Sequence, residues 1–351
     1  MNDIEIAQAV STILSKFTKA TPDEAPATSE AARVDGLDEI VAKALAQHSS
    51  VRDASAISQV AKVANASTGA FDTMDEAISA AVLAQVQYRH CSMQDRASFI
   101  NGIRDVFLQE DVLCALSRMA VEETGMGNYE DKLIKNRVAA LKTPGIEDLT
   151  TSAVSGDGGL TLIEYSAFGV IGSITPTTNP TETIINNSIG MLAAGNTVVF
   201  SPHPRSRKVS LYAVELINNK LAQLGAPANM VVTVTKPSID NTNVLINDPR
   251  INMLVATGGP AIVKTVMSSG KKAIGAGAGN PPAVVDETAD IEKAARDIIK
   301  GCSFDNNLPC VAEKEVIVVN QVADYLIHCM KKSGAYLLCD KKLSQQLQSL
   351  V

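Results

Sequence analysis

The chain has 351 residues, of which 46% are hydrophobic and 20% are charged, a balance that is ordinary for globular proteins. The formal net charge of -7 argues against nucleic acid as the main partner, because phosphate backbones attract basic surfaces. No apolar run approaches the roughly 20 residues that a membrane-spanning helix needs, so no membrane partner is expected.

An amphipathic helix is predicted near the start of the chain, over residues 1–18. Apolar side chains recur there at helical spacing: Ile6, Ala9, Val10, Ile13, Leu14 and Phe17. Residues 19–70 are predicted to form a linker, rich in Thr, Ala, Pro and Ser at first, and an extra helical segment. A short apolar helix on a tether can dock in a groove of another protein, or it can fold back or fray. The pattern alone leaves these alternatives open.

The main body begins near Phe71 with helical patterns over Met74–Tyr88, Gln94–Glu110, Leu113–Thr124 and Asp131–Leu141. Strands and helices then alternate. The predicted strands are Leu160–Tyr165, Gly169–Thr175, Thr197–Ser201, Met230–Thr235, Met253–Ala256, Lys272–Gly275 and Ala283–Val285. The predicted helices are Thr181–Ala194, Lys208–Leu224, Asn241–Asn247 and Gly259–Ser269. Such alternation is typical of an α/β fold in which helices cover both faces of a parallel sheet.

The six cysteines and four histidines show no metal-site spacing, so no metal is predicted. No two cysteines form a CxxC pair, and free thiols indicate the reducing cytoplasm. Asp3 and Glu5 stand where a secretory signal would carry basic residues, in agreement with a cytoplasmic location.

One of the cysteines, Cys310, lies on a predicted loop between the helix Ile291–Gly301 and the strand Val316–Val319. Loops held between rigid elements often carry functional side chains, so Cys310 is a candidate nucleophile. A free cysteine is also often a small core residue, and the local sequence does not separate the two interpretations.

Two further loops follow predicted strands, at the positions where ligands bind in open α/β sheets. Asn179, after the strand Gly169–Thr175, can donate a hydrogen bond to a substrate oxygen, or it can serve only turn geometry or helix capping. Thr257, Gly258 and Gly259 lead from a strand into a helix. A glycine turn at a helix N-terminus suits a pyrophosphate.

A glycine-rich run from Ile274 to Pro282 has some of the features of a dinucleotide-binding fingerprint. It fails that test, because Asn280 occupies the third glycine position and prolines follow where a helix should begin. The run indicates either backbone packed closely against a flat or bulky group, or a glycine-rich crossover between domains.

Taken together, these loops resemble one family. The segments Thr175–Pro180, Thr257–Gly259, Gly277–Pro282 and Phe304–Cys310 occur in the order found in the aldehyde dehydrogenase superfamily. Three longer segments resemble its CoA-acylating branch from bacterial microcompartments: Glu123–Asn128, Thr143–Asp148 and Asn179–Asn187. The resemblance runs from about Phe71 to the C-terminus. It implies a parallel-sheet, Rossmann-type cofactor domain over residues 71–279 and a partial α/β catalytic domain over residues 280–351.

The resemblance implies a role for individual residues. Cys310 matches the catalytic nucleophile, and Asn179 matches the oxyanion donor that acts with the backbone N–H of Cys310. The residues matched to NAD binding are Thr175, Pro176, Thr177, Ser201, His203, Thr257, Gly258, Gly259 and Gly277. Ser201 and His203 stand where hydrolytic relatives carry Lys and Glu for the adenosine ribose, so the choice between NAD and NADP stays open.

Hydrolytic relatives also carry a glutamate ahead of the glycine run, as the base that activates water, and Gly275 is matched to that position. Without such a base, a thioester on Cys310 should survive until a thiol arrives. The resemblance therefore implies acyl transfer to coenzyme A, from propionaldehyde or, as the alternative, from acetaldehyde.

Members of this branch carry a short amphipathic leader that directs them into the microcompartment shell, and residues 4–17 resemble it. The resemblance thus implies a shell protein as partner, a location inside a cytoplasmic microcompartment and, at full length, a homo-oligomer. Family members continue well beyond Val351, so the chain is expected to be C-terminally truncated. An inactive shell-binding protein is the alternative to an enzyme.

Overall fold

The structure is a computed structural model that describes residues 68–349. The amphipathic helix predicted over residues 1–18 and nearly all of the segment predicted over residues 19–70 lie outside the described residues. Within residues 68–349, no helix combines the length and the apolar character that crossing a membrane requires.

The elements lie close to the predicted ones. The strands are β1 (Ala70–Phe71), β2 (Ser152–Gly156), β3 (Gly159–Ile163), β4 (Val170–Ile174), β5 (Thr197–Ser201), β6 (Val231–Val234), β7 (Met253–Thr257), β8 (Lys272–Ala276), β9 (Pro282–Val285) and β10 (Glu315–Val318). The helices are α1 (Met74–Tyr88), α2 (Met93–Phe107), α3 (Glu110–Thr124), α4 (Tyr129–Lys142), α5 (Pro180–Ala193), α6 (Arg207–Gln223), α7 (Ile239–Asn247), α8 (Pro260–Met267), α9 (Ile291–Ser303), α10 (Asn320–Lys332) and α11 (Lys341–Gln348).

A six-stranded parallel sheet forms the centre of the described chain, in the spatial order β1-β6-β5-β4-β7-β8. On β5, Val198 and Phe200 pack into the core formed with α2, α5 and α6, whereas Val199 between them packs with α1 and α7. Successive side chains of a strand point to opposite faces, so helices cover the sheet on both sides. This explains the continuous apolar run of β5 and confirms the predicted α/β class.

Capping residues set the ends of the helices. Thr73 and Glu76 form a capping box at the start of α1, where Glu76 N donates to Thr73 Oγ1 at 3.2 Å and Thr73 N donates to Glu76 Oε2 at 3.1 Å. At the other end of α3, Gly125 has a φ of 68°, a left-handed conformation that glycine adopts without strain. This confirms the helix end predicted at Thr124.

One predicted strand lies outside the parallel sheet. The stretch Leu160–Tyr165 was expected to alternate with helices, but β3 pairs antiparallel with β2. A strand of a parallel sheet is buried on both faces, whereas every residue of β2 and β3 is exposed. The two-residue connection Asp157-Gly158 is typical of a tight hairpin.

A second, small sheet follows, in which β9 and β10 pair in parallel. The helices α9 and α10 pack against one face of it, around Val285, Ala295, Ile298 and Leu326. The opposite face carries Val284 and Ile317, which are exposed. The division of the chain into domains at residue 279 stays a prediction.

The strand order of the large sheet reverses at β4. The chain runs from β4 outward through β5 to β6 and then crosses to β7, on the other side of β4. A crevice opens where such a reversal occurs, beyond the carboxyl ends of the two strands. The loops after β4 and β7 carry Asn179 and Gly258-Gly259, so the fold brings two of the predicted site segments to one edge.

Candidate active site

Cys310 lies on a loop between α9 and β10, as the sequence predicts, and it is partly exposed rather than a core thiol. Directly after α9, Asp305, Asn306 and Asn307 have φ angles of 49°, 55° and 60°, so successive residues adopt the left-handed conformation. Asp and Asn tolerate it better than other non-glycine residues, because their short polar side chains bond locally to the backbone. These residues therefore turn the chain sharply before Cys310.

Side-chain hydrogen bonds hold this turn. Asn307 Nδ2 donates to the carbonyl oxygen of Cys302 at 2.7 Å and to that of Glu313 at 3.1 Å, which ties together the two ends of the loop. Lys314 Nζ donates to Asn307 Oδ1 at 2.5 Å. Lys314 is the basic residue nearest to Cys310 in the sequence, and it supports the loop through Asn307.

Asn179 is the N-cap residue of α5, yet its side chain makes no capping hydrogen bond within the described chain. Its Oδ1 accepts a hydrogen bond from Lys135 Nζ, and its Nδ2 donates to Thr178 Oγ1 at 3.0 Å. Pro180 occupies the first helical position, where a missing N–H leaves nothing unpaired. Helix capping, one of the interpretations from sequence, is therefore not the role of this side chain.

Cys310 and Asn179 line the same cavity, which has a volume of about 690 Å³. Apolar side chains form much of its wall: Ile134, Val138, Ala139, Phe304, Pro309, Val311 and Ala312. A cavity of this size, apolar with a few convergent polar groups, is typical of a small-molecule site. It suits a small substrate with an apolar tail and one reactive polar end.

Four charged side chains form a cluster next to Asn179: Lys132, Lys135, Glu182 and Asp305. Asp305 Oδ2 lies 3.0 Å from Lys132 Nζ and 2.5 Å from Lys135 Nζ. Glu182 Oε1 lies 3.3 Å from Lys135 Nζ and 3.8 Å from Lys132 Nζ. The side chains of Lys132 and Asp305 are 0% exposed. The cations and the anions balance in number, which compensates for the loss of hydration.

Asp305 links this cluster to the backbone on both sides. Its Oδ1 accepts a hydrogen bond from Asn128 N at 3.0 Å, and its own N–H donates to Asp131 Oδ2 at 2.7 Å. Burial lowers the pKa of Lys132. Burial also opposes the charged form of Lys135, but Glu182 and Asp305 outweigh it and raise the pKa of Lys135 above its ordinary value. Lys135 is therefore a cation at neutral pH.

The crevice at the strand reversal contains several of the residues predicted to bind NAD. Thr175 is buried directly after β4, and its hydroxyl has no hydrogen-bond partner among residues 68–349. Gly259 is the N-cap of α8, and a Cβ there would meet open space. An unpaired hydroxyl and an open helix N-terminus suit a phosphate-bearing ligand, so NAD fits this crevice. Pro176 and Thr177 follow Thr175 and are partly exposed. The N–H of Gly258 donates to the carbonyl oxygen of Ala276. Thr257 lines the cavity of Cys310 as well.

Ser201 and His203 lie at and beyond the end of β5, on the other side of β4 from β7. The hydroxyls of Ser201 and Thr242 are 2.8 Å apart, so Ser201 already has a partner within the protein. His203 is exposed, and its Nδ1 accepts a hydrogen bond from Arg205 N at 3.1 Å. Partial burial and the charge of Arg205 lower the pKa of His203, which keeps the ring neutral at pH 7. Their contacts with NAD stay predictions.

The glycine run packs against the loop of Cys310. A Cβ at Gly279 would lie 1.9 Å from the carbonyl oxygen of Cys310, so this close approach requires glycine. The group in contact is the Cys310 backbone, and both interpretations from sequence, a flat or bulky group and a crossover between domains, stay predictions. Gly277, by contrast, is exposed, and a Cβ there would meet open space.

The match of Gly275 to the water-activating base needs a correction. A Cβ at Gly275 would lie 2.7 Å from Val263 Cγ1 of α8, and Val263 is not among the residues that line the Cys310 cavity within the described chain. A glutamate at position 275 would therefore point at α8. Ala276 is the next residue of β8 and projects to the opposite face, but its methyl group cannot accept a proton.

The charged cluster is absent from the sequence predictions. Lys132 and Lys135 are three residues apart on α4 and so share one face, which is the signal that could have drawn attention to them. Asp305 is 170 positions from Lys135, and only the folded chain brings the two together.

The sequence profile of the aldehyde dehydrogenase family matches residues 41–348. A propanal dehydrogenase (CoA-propanoylating) of Salmonella typhimurium is 54% identical over 270 residues, which are 77% of this chain and 58% of that protein. An acetylating acetaldehyde dehydrogenase of Escherichia coli is 46% identical over 284 residues, which are 81% of this chain and 60% of that protein.

Solved structures are similar as well. A crystal structure of Rhodopseudomonas palustris propionaldehyde dehydrogenase, with bound CoA and an acylated cysteine, gives a TM-score of 0.78 at 72% identity, over 81% of this chain and 65% of that chain. A propionaldehyde dehydrogenase from the Clostridium phytofermentans fucose utilisation microcompartment gives 0.77 at 52% identity, again over 81% and 65%. The chain spans about 60% of the length of the curated relatives that it matches.

Proposed function

The chain belongs to the aldehyde dehydrogenase family, and on that basis we propose that it acts as an NAD-dependent, CoA-acylating aldehyde dehydrogenase. The observation that carries this proposal is a cavity that Cys310 and Asn179 both line. A nucleophile and a hydrogen-bond donor on one cavity are what acyl transfer requires.

In the proposed reaction, the Cys310 thiolate attacks the carbonyl carbon of an aldehyde and forms a thiohemiacetal. Asn179 Nδ2 carries two hydrogens, of which Thr178 takes one, so the other can be donated to the oxyanion, together with the backbone N–H of Cys310. Thr175 and the N-terminus of α8 would hold NAD, which would supply a hydride acceptor when bound. The carbon bonded to Cys310 Sγ would then be at the level of a thioester, which a thiol cleaves.

The carboxylates on the cavity wall support transfer to a thiol rather than to water. Glu182 is paired with Lys132 and Lys135. Glu313 Oε2 lies close to Gly301 of α9. Glu182 is thus engaged by the charged cluster, and hydrolysis needs a free base that thiolates do not need. We take coenzyme A to be the thiol, because that ligand is bound in the similar R. palustris structure.

Propionaldehyde is the favoured substrate. The CoA-propanoylating relative is 54% identical and the acetylating relative is 46% identical, so acetaldehyde is the second candidate. The apolar wall around Cys310, with Val138, Phe304 and Val311, suits a short aliphatic tail in either case.

Formation of NADH from propionaldehyde should be sustained with CoA and should stop near one equivalent per Cys310 without it, because the thioester then accumulates. Absorbance at the NADH band, followed with and without CoA and with acetaldehyde in parallel, measures both. Sustained NADH without CoA would show a hydrolytic enzyme instead. No NADH in either case would favour the inactive shell-binding alternative.

We further propose that residues 4–17 dock onto a microcompartment shell protein and place the protein inside that compartment. The support is the apolar stripe of this segment, although it lies outside the described residues, and the similar propionaldehyde dehydrogenase from a microcompartment.

Self-association is also proposed, supported by the exposed apolar side chains of β2 and β3: Val154, Leu160 and Leu162.

Deletion of residues 1–18 should leave NADH formation unchanged, whereas a fluorescent fusion should change from punctate to diffuse in cells that form shells. Fluorescence microscopy of the intact and the shortened fusions tests this. Puncta that persist after the deletion would show that docking lies elsewhere, and a fusion that is diffuse in both forms would argue against shell association.

A further inference from the structure

The proposed reaction requires one particular orientation of the Asn179 side-chain amide. A side-chain amide has two orientations that differ by a half-turn, and only one of them directs Nδ2 to the substrate oxygen. The other would present the carbonyl oxygen Oδ1, which repels an oxyanion. A contact within the protein is therefore needed to stabilise the orientation that presents Nδ2.

Lys135 contacts Asn179 Oδ1, the atom that has to point away from the substrate oxygen. Its Nζ donates to Asn179 Oδ1, and an ammonium group has donors only, so it cannot pair with Nδ2. Thr178 Oγ1 can both donate and accept, so its 3.0 Å contact with Nδ2 does not by itself fix the orientation. The fixed charge of Lys135 therefore makes the selection.

The surroundings keep Lys135 in place. The side chain of Lys135 is 11% exposed and reaches Asp305 Oδ2 at 2.5 Å and Glu182 Oε1 at 3.3 Å. Two carboxylates at these distances hold an ammonium group against the loss of hydration. Its hydrogen bonds within the described chain go to Asp305 Oδ2 and to Asn179 Oδ1.

We propose that Lys135 is a positioning residue of this active site, whose ammonium group holds Asn179 in the single amide orientation that presents Nδ2 to the substrate oxygen. A cation on Oδ1 also draws electron density from the amide and makes the N–H a stronger donor. The inference rests on the proposed function for the role of Asn179, but it concerns a residue to which the sequence assigned no role.

Two reactions of the Cys310 thiol separate this role from general support of the site. With p-nitrophenyl acetate, the thiolate adds to the ester carbonyl through an oxyanion and displaces p-nitrophenolate, which leaves an acetylated cysteine. With iodoacetamide, the thiolate displaces iodide and no oxyanion forms. Only the first reaction uses the Asn179 donor.

The Lys135→Met variant should slow the release of p-nitrophenolate by about 10- to 100-fold, less than the roughly 100- to 1000-fold for outright loss of an oxyanion donor. It should change alkylation by less than about twofold. Lys142→Met, at an exposed lysine on the same helix, should leave both rates unchanged. The Asn179→Ala variant and the double variant with Lys135→Met should show equal rates, because Lys135 acts through Asn179.

Any one of four results would overturn the proposal. They are a wild-type acylation rate in Lys135→Met, equal losses of acylation and alkylation, losses that multiply in the double variant, and no p-nitrophenolate burst in the wild-type chain. Should Lys135→Met fail to fold, Lys135→Met with Glu182→Gln removes one cation and one anion and keeps the cluster balanced. The same selective loss of acylation is expected there, and its absence would count against the proposal.

Neither readout requires NAD, an aldehyde or CoA. If NADH formation fails while acylation and alkylation follow the expected pattern, the proposed function falls and the role of Lys135 stands. If NADH forms as expected while the two thiol reactions change together, the proposed function stands and the role of Lys135 falls.

Discussion

The Cys310→Ala variant is expected to lose both aldehyde oxidation and the reverse reduction of acyl-CoA, by at least about four orders of magnitude in kcat. In both directions the substrate carbon has to be bonded to sulfur when hydride moves, and alanine offers no atom for this bond. Rates of NADH formation and consumption by the purified variant provide the measurement.

Cys339→Ala is the matched control, because Cys339 is an exposed free cysteine outside the cavity that Cys310 lines. It should keep the activity of the unsubstituted chain. Turnover retained by Cys310→Ala would place the nucleophile elsewhere. Equal losses in the two variants would point to a general effect of removing a cysteine.

The Asp305→Asn variant is expected to lower the free energy of unfolding by about 3–5 kcal/mol, because it leaves a buried cation without its counter-charge. Asp305 is completely buried and lies within 3.0 Å of the ammonium groups of both Lys132 and Lys135. Asparagine has the same shape and tolerates the left-handed φ of 49°, so the change isolates the charge. Urea unfolding followed by circular dichroism measures the loss.

Asp297→Asn removes the same charge from an exposed pair with Lys293, and it should leave the unfolding midpoint unchanged within error. An equally stable Asp305→Asn variant would mean that the cluster is not held by its ion pairs. The prediction does not depend on catalysis, so it tests the described geometry alone.

The residues that define the sheet were readable from the sequence because each obeys a local rule. Apolar runs such as Val198–Phe200 are long enough for a buried strand, and Gly125 marks a helix end. The loops with Asn179 and Cys310 followed from the same reading, since a loop is what remains between two well-defined elements.

The remaining features depend on distance or direction, which a linear pattern does not carry. The stretch Leu160–Tyr165 has the apolar character of a strand, but its partner and its exposure are decided by the hairpin. Gly275 occupies the expected stretch, but the face of β8 on which a side chain would project was not readable. The contact between Lys135 and Asp305 joins α4 to a turn 170 positions later.

The place of Lys135 between two loops has a consequence for thermal motion. Asn179 and Asp305 both contact one ammonium group, which is carried by the helix α4. The loop of Asn179 and the turn before Cys310 are therefore tied to one point of α4. Since a misplacement of about 1 Å can slow a reaction about 100-fold, such a shared anchor opposes motions that would separate the two loops.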